Sequence, residues 1–139
     1  MNPADANPLG SVHGGVILRL MDEAGGVASA RHARRPAVTV AMDSMTFRSP
    51  VPIGCLVTFK ASVNYVGKTS MEVGVRVETE NLLTGEIRHT ASAYLVYVAL
   101  DEEGEPALVP RLIPETEQDR RRMAAAGARM AARLRQRKA

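Results

Sequence analysis

The repeat of apolar and polar residues changes along this chain, and the changes mark its elements. Residues 1–12, with Asn2-Pro3, Asn7-Pro8, Gly10 and Ser11, read as a loop. From Gly14 to about His32 the repeat is helical: Val16, Ile17, Leu20, Met21, Ala24, Val27 and Ala28 recur at helix spacing. The main polar interruptions are Arg19, Asp22, Glu23 and Ser29. A helix this apolar is expected to be buried on most sides. Gly25-Gly26 inside it costs roughly 1 kcal/mol per glycine relative to alanine. Such glycines usually admit a close neighbour: a strand, a partner helix or a ligand. Arg34-Arg35-Pro36 ends the helix, because proline disfavours helical backbone in the residue before it.

The period then shortens to that of strands. Ala37 to Phe47 is β-branched and Met-rich, and Pro50 to Gly54 is a turn. Val57, Phe59, Ala61, Val63 and Tyr65 alternate with Thr58, Lys60, Ser62 and Asn64. Gly67-Lys68 turns the chain, and Met71, Val73, Val75 and Val77 alternate with Glu72, Gly74, Arg76 and Glu78. Thr84-Gly85 reads as a hairpin turn. Arg88 to Leu100 ends in a run from Tyr94 that is apolar on both faces, as a central strand is. Pro106, Pro110 and Pro114 mark an extended strap. From about Glu115 the composition is helical again, with a thin apolar stripe at Met123, Met130 and Leu134. The predicted layout is α+β: one long buried helix, then an antiparallel sheet of four strands wrapped around it. The predicted division is a domain over 1–114 and a basic tail over 115–139, helical or disordered.

Composition narrows the function classes. The 139 residues suit one domain, and with no Trp and 4% aromatics the core falls to Val, Leu, Met and Ala. Apolar runs are too short for a spanning helix, and no signal-peptide pattern opens the chain. Cys55 is the single cysteine and reads as a small buried hydrophobe. These features lead to the expectation of a cytoplasmic protein without a membrane partner. The pI of 9.4 invites a nucleic-acid reading. Yet residues 119–139 hold eight basic side chains against Asp119, while residues 1–118 hold ten basic against fourteen acidic ones. Basicity belongs to the tail, so no specific nucleic-acid partner is expected. The tail itself reads as a solvated appendage that catalysis does not need.

The candidate chemistry sits early. His13-Gly14-Gly15 falls where loop becomes helix, and glycines there leave backbone N–H groups open to a polarised carbonyl. Asp22 follows about two turns later among Leu20, Met21 and Ala24. A carboxylate on a mostly apolar helix needs a partner or a purpose. Taken singly, these residues have plainer readings. Asn7 is a common turn former, Asp22 an ion-pair partner, Lys68 a solvated turn residue, and His13 a loop-shaping side chain rather than a general base.

Together they carry a resemblance. Asp5-Ala6-Asn7-Pro8-Leu9-Gly10-Ser11-Val12-His13-Gly14-Gly15, followed by Met21-Asp22-Glu23-Ala24-Gly25-Gly26, closely resembles the brain-type cytosolic acyl-CoA hydrolases. Thr39 to Phe47, Gly67 to Val73 and Tyr94 to Leu100 are similar to that family in order and spacing, so the resemblance covers roughly residues 3–112. It implies a hotdog fold, homodimers assembled into hexamers, and hydrolysis of acyl-CoA thioesters with no metal or cofactor. It also implies that Asn7 and Asp22 are the catalytic pair, one from each subunit. Asp22 would act as general base or nucleophile, and Asn7 would position water or substrate. His13, Gly14 and Gly15 would bind the thioester carbonyl, and Lys68, Thr69 and Ser70 the pantetheine or phosphates. Family members carry a strand ahead of the asparagine motif, and here the sheet is expected to lack it. A non-catalytic acyl-CoA-binding regulator on the same fold is the alternative. A hotdog dehydratase would need a His and an acid in a motif of its own, which this chain does not show.

Overall fold

The computed structural model describes residues 1–138. After a short 3-10 turn at Pro3–Asp5 come helix α1 (Gly14–Ala33) and strands β1 (Ala37–Phe47), β2 (Leu56–Val66), β3 (Ser70–Glu80) and β4 (Ile87–Ala99). Helix α2 (Glu117–Lys138) closes the chain. The boundaries fall within a residue or two of where the change of period put them. All four strands are antiparallel in the order β1-β4-β3-β2, which makes β4 and β3 central and β1 and β2 the edges. The β2–β3 and β3–β4 links are short hairpins. No strand precedes α1 among the described residues; the opening segment makes only isolated bridges, Ala6 to Val12 and Ser11 to Pro52.

One face of the sheet holds Met71, Val73, Val75 and Val77 of β3 and Ala91, Ala93, Leu95, Tyr97 and Ala99 of β4, all buried in one core with Ile17 and Met21 of α1. The period of two puts their neighbours Glu72, Gly74, Arg76 and Glu78 on the opposite face. Along α1 the buried residues are Ile17, Met21, Gly25, Ser29 and Ala33, a single stripe at four-residue spacing. The helix is therefore sunk along one side only. Val27 stays 58% exposed, and on edge strand β1 Val38, Val40, Met42 and Phe47 are exposed as well. The expectation of burial on most sides is not met within one chain, because a four-stranded sheet can cover only one flank of a helix.

The tail also departs from the solvated appendage its thin apolar stripe suggested. Helix α2 lies on the face of the sheet opposite α1. Ala126 is fully buried, and a Cβ at Gly127 would stand 3.4 Å from the Tyr65 ring of β2. Its arginines do the holding. Arg129 binds Glu72 in a bidentate fork at 2.6 and 2.9 Å, and Arg133 reaches both Glu72 (2.9 Å) and Asp43 of β1 (3.0 Å). The Arg129 guanidinium also lies 3.7 Å over the centre of the Tyr94 ring. Glu72 is 0% exposed, so these charges compensate one that no water reaches.

Candidate active site

At the start of α1, His13 caps the helix: its Nδ1 accepts the Gly15 N–H at 3.0 Å. That bond occupies one of the two glycine donors. The Gly14 N–H carries no partner among the described residues, so of the pair it is the one left for a ligand. The loop ahead is tied down by His13 N–H to the Asp5 carbonyl (2.7 Å) and Val12 N–H to the Val51 carbonyl (2.8 Å). Inside that loop the Asn7 side-chain oxygen accepts from Leu9 N–H (2.9 Å) and Ser11 N–H (3.1 Å). The turn-forming reading of Asn7 is thus realised. It also leaves the Asn7 amide nitrogen as a held donor with no partner among the described residues.

Asp22 sits two turns further along α1, half-buried. Its Oδ1 accepts from Thr39 Oγ1 of β1 at 2.6 Å and from the Tyr97 hydroxyl of β4 at 2.9 Å. The phenol also lies 2.9 Å from the Asp22 carbonyl oxygen, and its single proton is shared between the two acceptors. Thr39 and Tyr97 are cross-strand partners in the β1–β4 register, so the sheet fixes both donors together. Burial first, and then the bond to Asp22 and its charge, push the Tyr97 phenol well above its ordinary range. It therefore stays protonated and donates at any physiological pH. Oδ2 of Asp22 has no protein partner among the described residues. One carboxylate oxygen is anchored and the other is free, as a base or nucleophile requires.

Gly25 makes this arrangement possible. A Cβ there would collide with the Tyr97 hydroxyl and come within 3.1 Å of two ring carbons. The close neighbour that the glycine pair foreshadowed is a tyrosine from the central strand. At Gly26 a Cβ would meet nothing within 4 Å.

Lys68, Thr69 and Ser70 form the β2–β3 turn. Their carbonyls accept from Val109 (2.9 Å), Ala99 (3.0 Å) and Gly67 (2.8 Å), and the Lys68 side chain is exposed. Ser70 is paired with Val98, next to Tyr97, so this turn lies at the sheet end nearest Asp22. The sequence-predicted residues thus form groups that one chain does not join. Asn7, His13, Gly14 and Gly15 gather at the helix start, beside Phe47, whose ring a Gly14 Cβ would approach to 3.8 Å. Asp22 lies eight residues on from Gly14, about 12 Å along the axis. No hydrogen bond links Asn7 to Asp22, and clefts of about 740 and 710 Å³ on the chain surface are lined by neither.

The model of the Thioesterase superfamily matches residues 9–86, and the chain belongs to that family. Its fold is the hotdog, and its relatives are consistent in kind. It is 45% identical to Protein VdlD of Helicobacter pylori over 120 residues, 86% of this chain and 68% of that one. It is 36% identical to the cytosolic acyl coenzyme A thioester hydrolase of Rattus norvegicus over 124 residues, 88% of this chain but 32% of that longer protein. Among solved structures, a hexameric acyl-CoA thioesterase in its apo form superimposes with a TM-score of 0.94 at 39% identity, covering 98% of this chain and 87% of that one. The acyl-CoA hydrolase of Staphylococcus aureus, solved with butyryl-CoA, CoA and CoA disulfide, gives 0.91 at 31% identity over 99% of this chain and 84% of that one. Alanine variants of that hydrolase replace an asparagine, an aspartate and a threonine spaced along its chain as Asn7, Asp22 and Thr39 are along this one.

Sequence reasoning singled out neither Thr39 nor Tyr97. Both stand in strands as ordinary β-formers, and only the cross-strand register aims them at Asp22. Glu72 was missed for a related reason: alternation marks it as outward-facing, and outward here means under α2.

Proposed function

We propose that this chain hydrolyses acyl-CoA thioesters, with Asp22 as the general base or nucleophile. The observation that carries the reading is the Asp22 carboxylate, with one oxygen held by Thr39 and Tyr97 and the other unengaged. Held this way, it can take a proton from water or attack the thioester carbonyl directly. The carbonyl would be polarised by the Gly14 N–H at the positive end of α1, with His13 and Gly15 shaping that terminus. Asn7 would orient water or carbonyl through its amide nitrogen. Lys68, Thr69 and Ser70 would meet the pantetheine or phosphates. The sulfur leaves as CoA thiol and the acyl group as the free acid.

The site is composite in this proposal: Asn7 and Gly14 of one subunit meet Asp22 of its partner. About 12 Å of helix separates them within a chain. The uncovered flank of α1 and the apolar edge of β1 offer a surface for a second copy. Assembly of such dimers into a hexamer, as in the hexameric relative, belongs to the same proposal.

A panel of acyl-CoA substrates of increasing chain length, read by release of free thiol, is the experiment. Asp22→Asn is isosteric and should cut turnover by about 10²-fold or more with folding intact. Near-normal turnover in the folded variant would remove Asp22 from the mechanism. Tight acyl-CoA binding without thiol release in the parent protein would favour the alternative, a non-catalytic regulator on this fold.

A further inference from the structure

On the face of the sheet away from Asp22, a cleft of about 710 Å³ opens between the strands and α2. Its walls carry Arg48, Lys60, Arg76, Arg121, Arg122 and Arg129. We propose that this cleft binds a small anion bearing two or more clustered phosphates, at a site separate from the thioesterase centre.

Register and helix together build it. Lys60, Arg76 and Ser92 form one straight row across β2, β3 and β4, and Ser62, Gly74 and Tyr94 form the next. Arg121 and Arg122 hang over these rows from the first turns of α2, and the small Ala125 below them leaves room. Part of the charge is spoken for. Glu78 pairs with Lys60 at 3.1 Å and with Arg76 at 3.0 Å, and Glu72 holds Arg129. Arg48 and Arg122 form no ion pair among the described residues, and Arg121 reaches the exposed Glu117 only at 4.0 Å. Guanidinium groups gathered across one cleft repel each other, and an anion between them relieves that repulsion. Arginine forks suit phosphate oxygens, which accept two parallel N–H bonds.

The floor supplies a second observation. Asn64 is only 6% exposed, yet it lines the cleft, and its amide nitrogen donates to nothing among the described residues. Its oxygen accepts from Ser62 at 3.1 Å, which orients the nitrogen. Gly74 is what leaves space there: a Cβ on it would stand 2.6 Å from that nitrogen. The result is a fixed neutral donor beneath a ring of cations, in a depression the size of a small molecule.

The test is calorimetric titration of the full-length protein with inorganic tripolyphosphate, at low and at physiological salt, beside ATP and a heparin fragment. Tripolyphosphate should bind and weaken with salt. Arg48→Ala with Arg122→Ala should raise its Kd by about tenfold or more, since two charge-assisted contacts are lost. Because Arg48 and Arg122 hold no structural ion pair, the double variant should fold normally, and far-UV dichroism and melting check this. Gly74→Ala, which crowds Asn64, should weaken binding in the same direction. ATP binding more tightly than tripolyphosphate would add a nucleoside contact; equal binding would mean phosphates alone are read. Tripolyphosphate binding unchanged in the folded double variant overturns the proposal. So does retention of heparin alone, which would make this a generic basic surface.

Discussion

Replacing Gly25 by alanine adds one methyl group at the place where α1 and the central strand come closest. The new Cβ would overlap the Tyr97 hydroxyl and crowd two ring carbons at 3.1 Å. Tyr97 is 1% exposed, so its ring has nowhere to retreat without moving β4 or α1. Overpacking of this kind costs about 1–3 kcal/mol. Alanine returns roughly 1 kcal/mol of helix propensity, and breaking the phenol's bond to Asp22 adds about 1.5 kcal/mol. The expected loss is about 2 kcal/mol of stability, together with misplacement of the Asp22 carboxylate and a fall in thiol release of about tenfold. A double-mutant cycle with Tyr97→Phe isolates the cause. Removing the hydroxyl removes the worst contact, so Gly25→Ala should cost less in the phenylalanine background than in the parent. Urea midpoints at fixed protein concentration and initial rates on one acyl-CoA give all four corners. If Gly25→Ala is as stable and as active as the parent, or if the two changes simply add, the coupling of helix, tyrosine and carboxylate is wrong.

Three further outcomes follow from the same geometry. Mixing Asn7→Ala with Asp22→Asn protein under subunit exchange should restore part of the activity that each lacks alone; no recovery, with exchange confirmed by mass spectrometry, would place both residues in one chain's site. Removing both partners of Glu72 with Arg129→Ala and Arg133→Ala should destabilise by about 3 kcal/mol or more by leaving a buried charge unpaired, whereas Glu72→Gln with the same two changes should recover much of it; equal stability of the two variants would deny Glu72 its dependence on α2. Unfolded tyrosine ionises near 10 and folded Tyr97 higher, so its contribution is complete below the unfolded value and is lost progressively as pH rises from there toward the folded one. A urea series from about pH 8 to about pH 11 should fall more steeply for the parent than for Tyr97→Phe, and parallel slopes would contradict the assignment.

The elements were legible because their periods differ. Val16 to Ala28 could only be a helix, and Val57 to Tyr65 only a strand. What a single period cannot express is the partner across the sheet, and there the reading ran out. Thr39 and Tyr97 became visible as Asp22's donors only through the β1–β4 pairing. Gly25 gave a warning of close approach without saying what approached. The tail misled because its stripe of Met123, Met130 and Leu134 was weighed as a hydrophobic anchor, while its hold on the sheet is ionic, through Arg129 and Arg133. An arginine that binds a buried glutamate looks, in sequence, like any arginine on a solvated helix. Asn7 and Asp22 stood out through resemblance to known hydrolases; without it each had a plainer explanation that the structure in part honours.

The pairing of Glu72 with α2 also bears on the order in which the protein is made. Glu72 lies near the start of β3, flanked by Met71 and Val73 of the core, so the sheet cannot assemble without placing it. Its counter-charges lie on α2, which follows all four strands in the chain. A nascent chain that has released all four strands still carries an uncompensated carboxylate on the outer face of a central strand, and its β-structure stays open to local unfolding until the arginines arrive. Stability of the sheet and docking of α2 are thereby tied to the same few residues, and a chain cut short before Arg129 would leave its sheet open to proteolysis.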